Sequence, residues 1–294
     1  TEGIVIGVFP DLGGFWIQEE ESDKDPATSA GLSVRAEELE VPVELGDLVR
    51  ATGRVRELSG QTLLDITDPD DLNILSRLNM LPAAVEVDPP LEEDEAQAYY
   101  EAREGMLAQV TGPAVAVGPT TSYGETALVR SEREIERVMR GDPTGPLIFF
   151  DDGSAGTHMD ASTLAFGLKT GDQITAVEGP LAYTFENYKI EIISLPVITP
   201  TATTLPELEP PGPNQFSMAT FNVGNLFDAD SPHPSDPPLP TTRQYKADLG
   251  RTAEAIRAMG LPTIVALQAL RSGISSEEAG DVQAKGNGSL MRIL

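Results

Sequence analysis

Arg50, Arg54 and Arg56 recur at even spacing in "DLVRATGRVREL". Side chains alternate across an extended strand, so this spacing puts the three guanidinium groups and Thr52 on one face. Val49, Ala51, Gly53 and Val55 take the other face. A row of guanidinium groups is phosphate-contacting chemistry. Trp16, the single tryptophan, lies in "FWIQ" beside Phe15. One of these rings must point inward, and an outward ring is a platform on which a base can stack. Asp23 and Asp25 form a D-x-D pair in "EEESDKDPATS". Two carboxylates with loop carbonyls suit Ca²⁺, although Lys24 stands between them and a solvated loop is the plainer reading. Asn222 closes the apolar run "FSMATFNV", where an asparagine commonly bonds local backbone.

Other chemistry is excluded by what the composition omits. There is no cysteine, so disulfides and thiolate metal sites are ruled out. Two histidines, His158 and His233, are too few for a histidine-rich metal centre, and His233 lies in a proline-rich loop. The net charge is −27. Such a chain repels polyanions at long range, so nucleic-acid contact needs a local basic patch or a bound metal. The charge otherwise reads as the solvated surface of a secreted or salt-exposed protein. No stretch reaches the roughly 18 apolar residues of a membrane span.

The elements that must position these residues are mostly short strands. "GIVIGVF" (3–9) alternates, Gly13 and Gly14 permit a reversal, and "FWIQ", "GLSVRA", "DLVRATGRVREL" and "QTLLDI" follow. Five strands with turn signals between them predict a small barrel or sandwich over 1–68. Residues 69–95 are rich in Pro, Asp and Glu around "LNILSRLNML", and read as a linker. Strand signals return over 96–195, in "REGMLAQVTG", "ETALVRS", "PLIFFDD", "DQITAVEGPLAYT" and "YKIEIISL".

The two β regions share a faint repeat. "LGDLVRATGRV" (45–55) matches "TGDQITAVEGPL" (170–181) at Gly-Asp, at an apolar residue two positions on, and at a later Ala and Gly. Upstream of each stands Glu-Gly and an apolar strand, "EGIVIG" and "EGMLAQ". Two related modules in tandem explain this, and chance matching of turn glycines is the alternative.

Residues 196–214, "PVITPTATTLPELEPPGPN", read as an extended linker. Beyond it, "FSMATFNV", the amphipathic "RQYKADLGRTAEAIRAMG" and "TIVALQ" predict one βαβ unit within 215–294. The expected fold class is therefore mostly β, with two barrel-like modules before a short α/β segment.

"FSMATFNVGNLFD" (216–228), "YKADLGRTAEAI" and "GLPTIVALQ" (260–268) resemble the opening of the endonuclease/exonuclease/phosphatase superfamily, the deoxyribonuclease I-like fold. "GGFWIQEEESDKDPATSAGL" and "GDLVRATGRVRELSGQTLL" resemble the OB-fold-like modules that precede such domains in large secreted bacterial nucleases, and "REGMLAQVTG" with "SYGETALVRS" resembles their second module. The resemblance implies an extracellular or cell-envelope location and Mg²⁺-assisted phosphodiester hydrolysis, with an Asp/His pair activating water. It implies that Asn222 sits in the site, positioning phosphate or a metal-bound water. It also implies a metal-binding Glu after Gln268, where this chain has Ala269, and later Asp, Asn and His motifs beyond residue 294.

A chain lacking that carboxylate is expected to be inactive as given, with Mg²⁺ unbound. OB-like modules often bind oligonucleotides on one face, so nucleic acid held by Trp16, Arg50, Arg54 and Arg56 is one expectation for the first module. Docking to another protein or to the envelope, in a non-catalytic role, is the other.

Overall fold

The computed structural model describes residues 1–20, 25, 27–36, 42–139, 142–158, 161–202, 208–227 and 240–271. They fall into two compact units, Thr1–Thr203 and Thr204–Leu294. The fold is mostly β.

The first unit opens with β1 (Glu2–Phe9), which reverses through a 3-10 turn at Pro10–Leu12. Gly13 ends that turn at φ 79°, a conformation that glycine adopts without strain. The chain continues through β2 (Gly14–Gln18), β3 (Gly31–Arg35), β4 (Leu48–Ala51), β5 (Arg54–Leu58), β6 (Gln61–Asp65) and β7 (Leu72–Ser76). Their order in the sheet is β5-β6-β3-β2-β1-β4-β7. Only the β3–β6 pairing is parallel. Because β4 runs almost directly into β5, the chain itself links the two sides of the order. The single strand expected over 47–58 is thus two, broken at Thr52 and Gly53. At the break Gly53 approaches the next strand closely; a Cβ there would lie 2.5 Å from the Asp65 carbonyl.

The second module comprises β8 (Val85–Glu86), α1 (Glu93–Glu101), β9 (Leu107–Val110), β10 (Ala114–Ala116), β11 (Thr126–Arg130), β12 (Ile148–Asp151), β13 (Gln173–Thr184), β14 (Asn187–Glu191) and β15 (Val197–Thr199). Its order is β10-β11-β12-β14-β13-β9-β8, with β15 on β13 and a further β10–β13 pairing that closes the ring. The connectivity repeats that of the first module. Counting β4–β5 as one interrupted strand and β9–β10 as another, and setting β8 aside, the third strand of each lies parallel to the fifth, β3 on β6 and β12 on β14. The fifth strand hairpins with the fourth, the fourth returns to the first, and a late strand, β7 or β15, adds to the fourth.

Two expected linkers differ from the structure. Residues 69–95 contain β7, β8 and the start of α1, because the apolar Leu72 and Ile74 pack on the first module's core. The segment from Val197 is β15 before it is linker. Helix α1, unexpected from the sequence, carries Glu93, Asp94 and Glu95 in its first turn, where the helix dipole favours acids. It buries Ala96 and Tyr100, and the Tyr100 hydroxyl donates to the Leu147 carbonyl at 2.7 Å.

The "GD" repeat is a shared turn. Gly46 and Gly171 both have positive φ, 83° and 91°. The Asp47 and Asp172 amides donate to the Glu44 and Lys169 carbonyls, at 3.0 and 3.1 Å. Each carboxylate accepts the amide three residues back, both at 3.0 Å. Both aspartates are buried, and each also holds the chain just past the late strand. Arg77 pairs with Asp47 at 2.9 Å, and the Thr201 amide donates to Asp172 at 2.9 Å.

Each module has its own core, built on Phe15, Val34 and Val49 in the first and on Phe150, Leu128 and Ile190 in the second. A third apolar cluster joins them: Ile6, Phe9 and Trp16 from the first, Leu107 and Ala182 from the second. At this joint Gly31 and Gly105 meet backbone to backbone, and a Cβ on Gly31 would stand 2.1 Å from the Gly105 carbonyl carbon.

The other unit contains β16 (Met218–Phe227), α2 (Thr242–Ala258) and β17 (Ile264–Arg271), with β16 and β17 parallel. Thr241 and Gln244 form a capping box at the start of α2, satisfying amides that the first turn leaves without partners. This is the expected βαβ unit. No residue of α2 is buried.

Candidate functional site

The sequence-derived site residues are not brought together. Trp16 is 2% exposed, with its ring edge-on to Phe9 at 5.5 Å between centroids. This corrects the expectation of an outward ring. Both faces of β2 are covered, Phe15 by its own module and Trp16 by the second. Gln18, on the same face as Trp16, accepts the Leu107 amide at 2.7 Å.

The arginine row is also divided. Arg50 is on β4 and pairs with Glu2, while Arg54 and Arg56 are on β5. Arg56 pairs with Asp65 at 2.8 Å, and Arg54 is exposed in register with the same residue. These exposed pairs contribute little to stability, but their carboxylates offset the field that would attract phosphate.

Of the D-x-D pair, Asp23 lies outside the described residues, as does His233. Asp25 accepts the Ala27 amide on Oδ1 at 3.0 Å, a local turn. Among the described residues no group of three His, Asp or Glu is disposed to hold a metal ion.

Asn222 and Gln268 are register partners midway along the β16–β17 pair, just before a shift in register, and both are exposed. Beside them a groove is lined by Phe221, Leu226, Asp248 and Arg251, and Asp248 is paired with Arg251. Two neutral amides and a compensated carboxylate do not fit Mg²⁺, which requires hard, charged oxygen donors. Ala269 supplies none.

The sequence reading missed the titratable groups within the second module. Lys189, on β14, is 2% exposed and bonded to Glu125, with Asp151 at 3.4 Å. Burial opposes its charge, but the Glu125 contact and the surrounding carboxylates hold its pKa above the ordinary value. Glu191 is Asp151's register partner. Burial and the Asp151 charge push its pKa well up, and its buried Oε2 has no hydrogen-bond partner among the described residues. Burial also raises Asp151 to about 6, against the pull of Lys189. Lys189 already occupies the cationic position, so the cluster is an internal ion network of the kind that tends to fix an arrangement more than to add stability.

Nearby, the His158 ring contacts Ser154 Oγ at 2.9 Å and Asp152 at 3.3 Å through Nε2, and Thr163 Oγ1 at 2.9 Å through Nδ1. A nucleophilic relay needs serine and aspartate on opposite ring nitrogens. Here they share one, so the cluster staples the loop after β12.

Glu104, at the joint, is 8% exposed. It accepts the Thr62 amide at 2.8 Å, and its backbone carbonyl accepts Ser29 Oγ at 2.5 Å. Burial raises its carboxyl to about 7 against the Thr62 bond, helped by the Glu101 and Glu57 charges. The sequence signal for it was the repeated Glu-Gly: Glu2-Gly3 opens β1, and Glu104-Gly105 stands just before β9.

Residues 73–200, running from β7 through β15, match a family described as a domain of unknown function (DUF8508). No curated protein and no solved structure matches the chain.

Proposed function

We propose that both β modules are OB-like barrels and that β16–α2–β17 is the opening of a deoxyribonuclease I-like domain. On this reading the chain is the accessory and leading region of a secreted, metal-dependent nuclease and does not itself hydrolyse phosphodiesters. The strand order supports the first part, since a single parallel pairing, β3–β6 or β12–β14, among mostly antiparallel neighbours suits a Greek-key barrel of the OB type.

The observation that carries the functional part is Asn222 opposite Gln268 on parallel strands, with Ala269 next in the chain. The pairing supports this reading, and Ala269 leaves it without the charged donor for Mg²⁺ that the resemblance implies. No hydrolytic step is therefore assigned to these residues.

The test is plasmid nicking by the purified chain with Mg²⁺, paired with titration of Mg²⁺ by calorimetry. No nicking and no stoichiometric heat are expected, and robust nicking overturns the non-hydrolytic reading. An Ala269→Glu variant addresses lineage. It is expected to show a Mg²⁺-dependent rise in Tm that wild type and Ser217→Glu lack, and a variant indifferent to Mg²⁺ counts against the superfamily assignment.

A second reading, a docking or structural protein, is favoured by the joint. Trp16, the best stacking candidate, is spent on holding the two modules together. A retained docking role predicts no change in oligonucleotide affinity when Arg54 is replaced by Glu.

A further inference from the structure

One face of the second module's sheet carries Asp151 on β12, Lys189 and Glu191 on β14, and Ala182 on β13. Asp151 is in register with Glu191, and Ala182 with Lys189, so strand alternation puts all four on the same side. Acids and lysine belong on a solvated face. Here β1 of the first module covers it. Ala182 and Ile193 pack with Ile6, Phe9 and Trp16. A Cβ on Gly7 would stand 2.9 Å from Pro180 Cγ, and one on Gly153 would meet the Phe9 ring. Beneath this cover Asp151 is 5% exposed, Lys189 2% and Glu191 1%.

The charges under the cover do not balance. Three carboxyls, Glu125, Asp151 and Glu191, share one ammonium. Lys189 bonds Glu125 and lies 3.4 Å from Asp151. Asp151 also accepts the Gly153 amide at 3.2 Å, whereas no described residue bonds Glu191 Oε2. Asp152 is the other acid near Glu191, and it faces His158 at 3.3 Å. Pro180 and Ala182 from β13, and Gly7 and Phe9 from β1, bring no charge. A buried carboxylate without a donor is costly, and such a group stays neutral instead. Burial and the Asp151 charge push the Glu191 pKa well up. The covered state therefore holds a proton that a hydrated Glu191 releases. Closure is fully favoured below the hydrated value and is lost as pH rises through the covered one.

We propose that β1 of the first module is a proton-operated lid over β12 and β14: it lies closed while Glu191 is neutral and lifts, with both modules still folded, when Glu191 ionises.

Trp16 reads the opening, because it is the only tryptophan and sits against Leu107 and Ala182. Its emission and its quenching by acrylamide, an uncharged probe, are followed in the full chain from about pH 6 to about pH 10, beside far-UV circular dichroism. A red shift and a rise of about twofold or more in quenching are expected at unchanged dichroism, as in a local opening. Glu191→Gln keeps the shape, cannot ionise, and should leave both signals flat. Asp151→Asn frees Lys189 for an ionised Glu191 and should also suppress the change; it serves if Glu191→Gln does not fold. Glu104→Gln, at the Thr62 contact of the same joint, should keep the transition.

Emission constant across the range in wild type overturns the proposal. A red shift accompanied by loss of far-UV dichroism is global unfolding and overturns it too. So does a transition that survives Glu191→Gln, or one that Glu104→Gln alone removes.

Discussion

Asp47 and Asp172 close the same turn in the two β modules, each accepting the amide three residues back and each tying down the chain just past the late strand. Burial would raise the Asp172 pKa, but Lys169 and two backbone amides outweigh that and hold it below the usual carboxylate range. Replacing either with Ala leaves a turn amide and a latch group without an acceptor. A loss of about 1–3 kcal/mol is expected for each in urea unfolding. For Asp172 the sign is fixed by the depressed pKa: its contribution is present above 3.8 and is lost as pH falls through its lower folded value. The Asp172→Ala deficit should therefore shrink in strong acid, and a deficit constant with pH would refute the linkage.

The Gly31–Gly105 contact makes the two modules one unit. A methyl group on Gly31 cannot be absorbed by side-chain motion, because its neighbours are the Gly105 carbonyl and the Met106 amide. Gly31→Ala is expected to lose about 1–3 kcal/mol. It should also split the thermal transition in calorimetry, as the modules uncouple. A Gly156→Ala control, where nothing lies within 4 Å, should leave a single transition.

Trp16 gives a spectroscopic check, since it is the only tryptophan. Enclosed by Ile6, Phe9, Leu107 and Ala182, it should emit at short wavelength and resist quenching by iodide. Single-stranded oligonucleotides should leave that emission unchanged; quenching by them would restore the stacking role. Trp16→Ala removes a large buried side chain and should cost about 3–5 kcal/mol.

What the sequence made legible was local. Strand positions, the α2 pattern, and the "GD" repeat follow from alternation, helical spacing and turn glycines. The site was less legible because it depends on which surfaces one module presents to the other. Alternation put Trp16 and Gln18 on one face of β2, yet could not tell that face from solvent until Leu107 and Ala182 lay against it. The arginine row failed for a related reason, as one glycine, Gly53, parts β4 from β5. Lys189 and Glu191 alternate with Tyr188 and Ile190 as outward residues of a strand should, and their burial comes from tertiary packing.

The raised carboxyls make stability depend on pH in the direction opposite to Asp172. Glu104, near 7 against an ordinary 4.5, and Asp151, near 6 against 3.8, bind protons more tightly folded than unfolded. Glu191 acts the same way. The contribution is therefore fully present below the unfolded values and is lost as pH rises through the folded ones. For Glu104 the facing groups are Glu101, Glu57 and the Thr62 amide, and no basic side chain among them reverses the sign. The Tm of the chain should fall by a few degrees between about pH 5 and pH 8. Part of that fall reflects the net charge of −27, so the variant decides: Glu104→Gln, which cannot ionise, should flatten the slope and melt above wild type at about pH 8. Parallel profiles for the two proteins would mean that Glu104 is ionised in the fold without penalty, and the burial argument for that residue would fail.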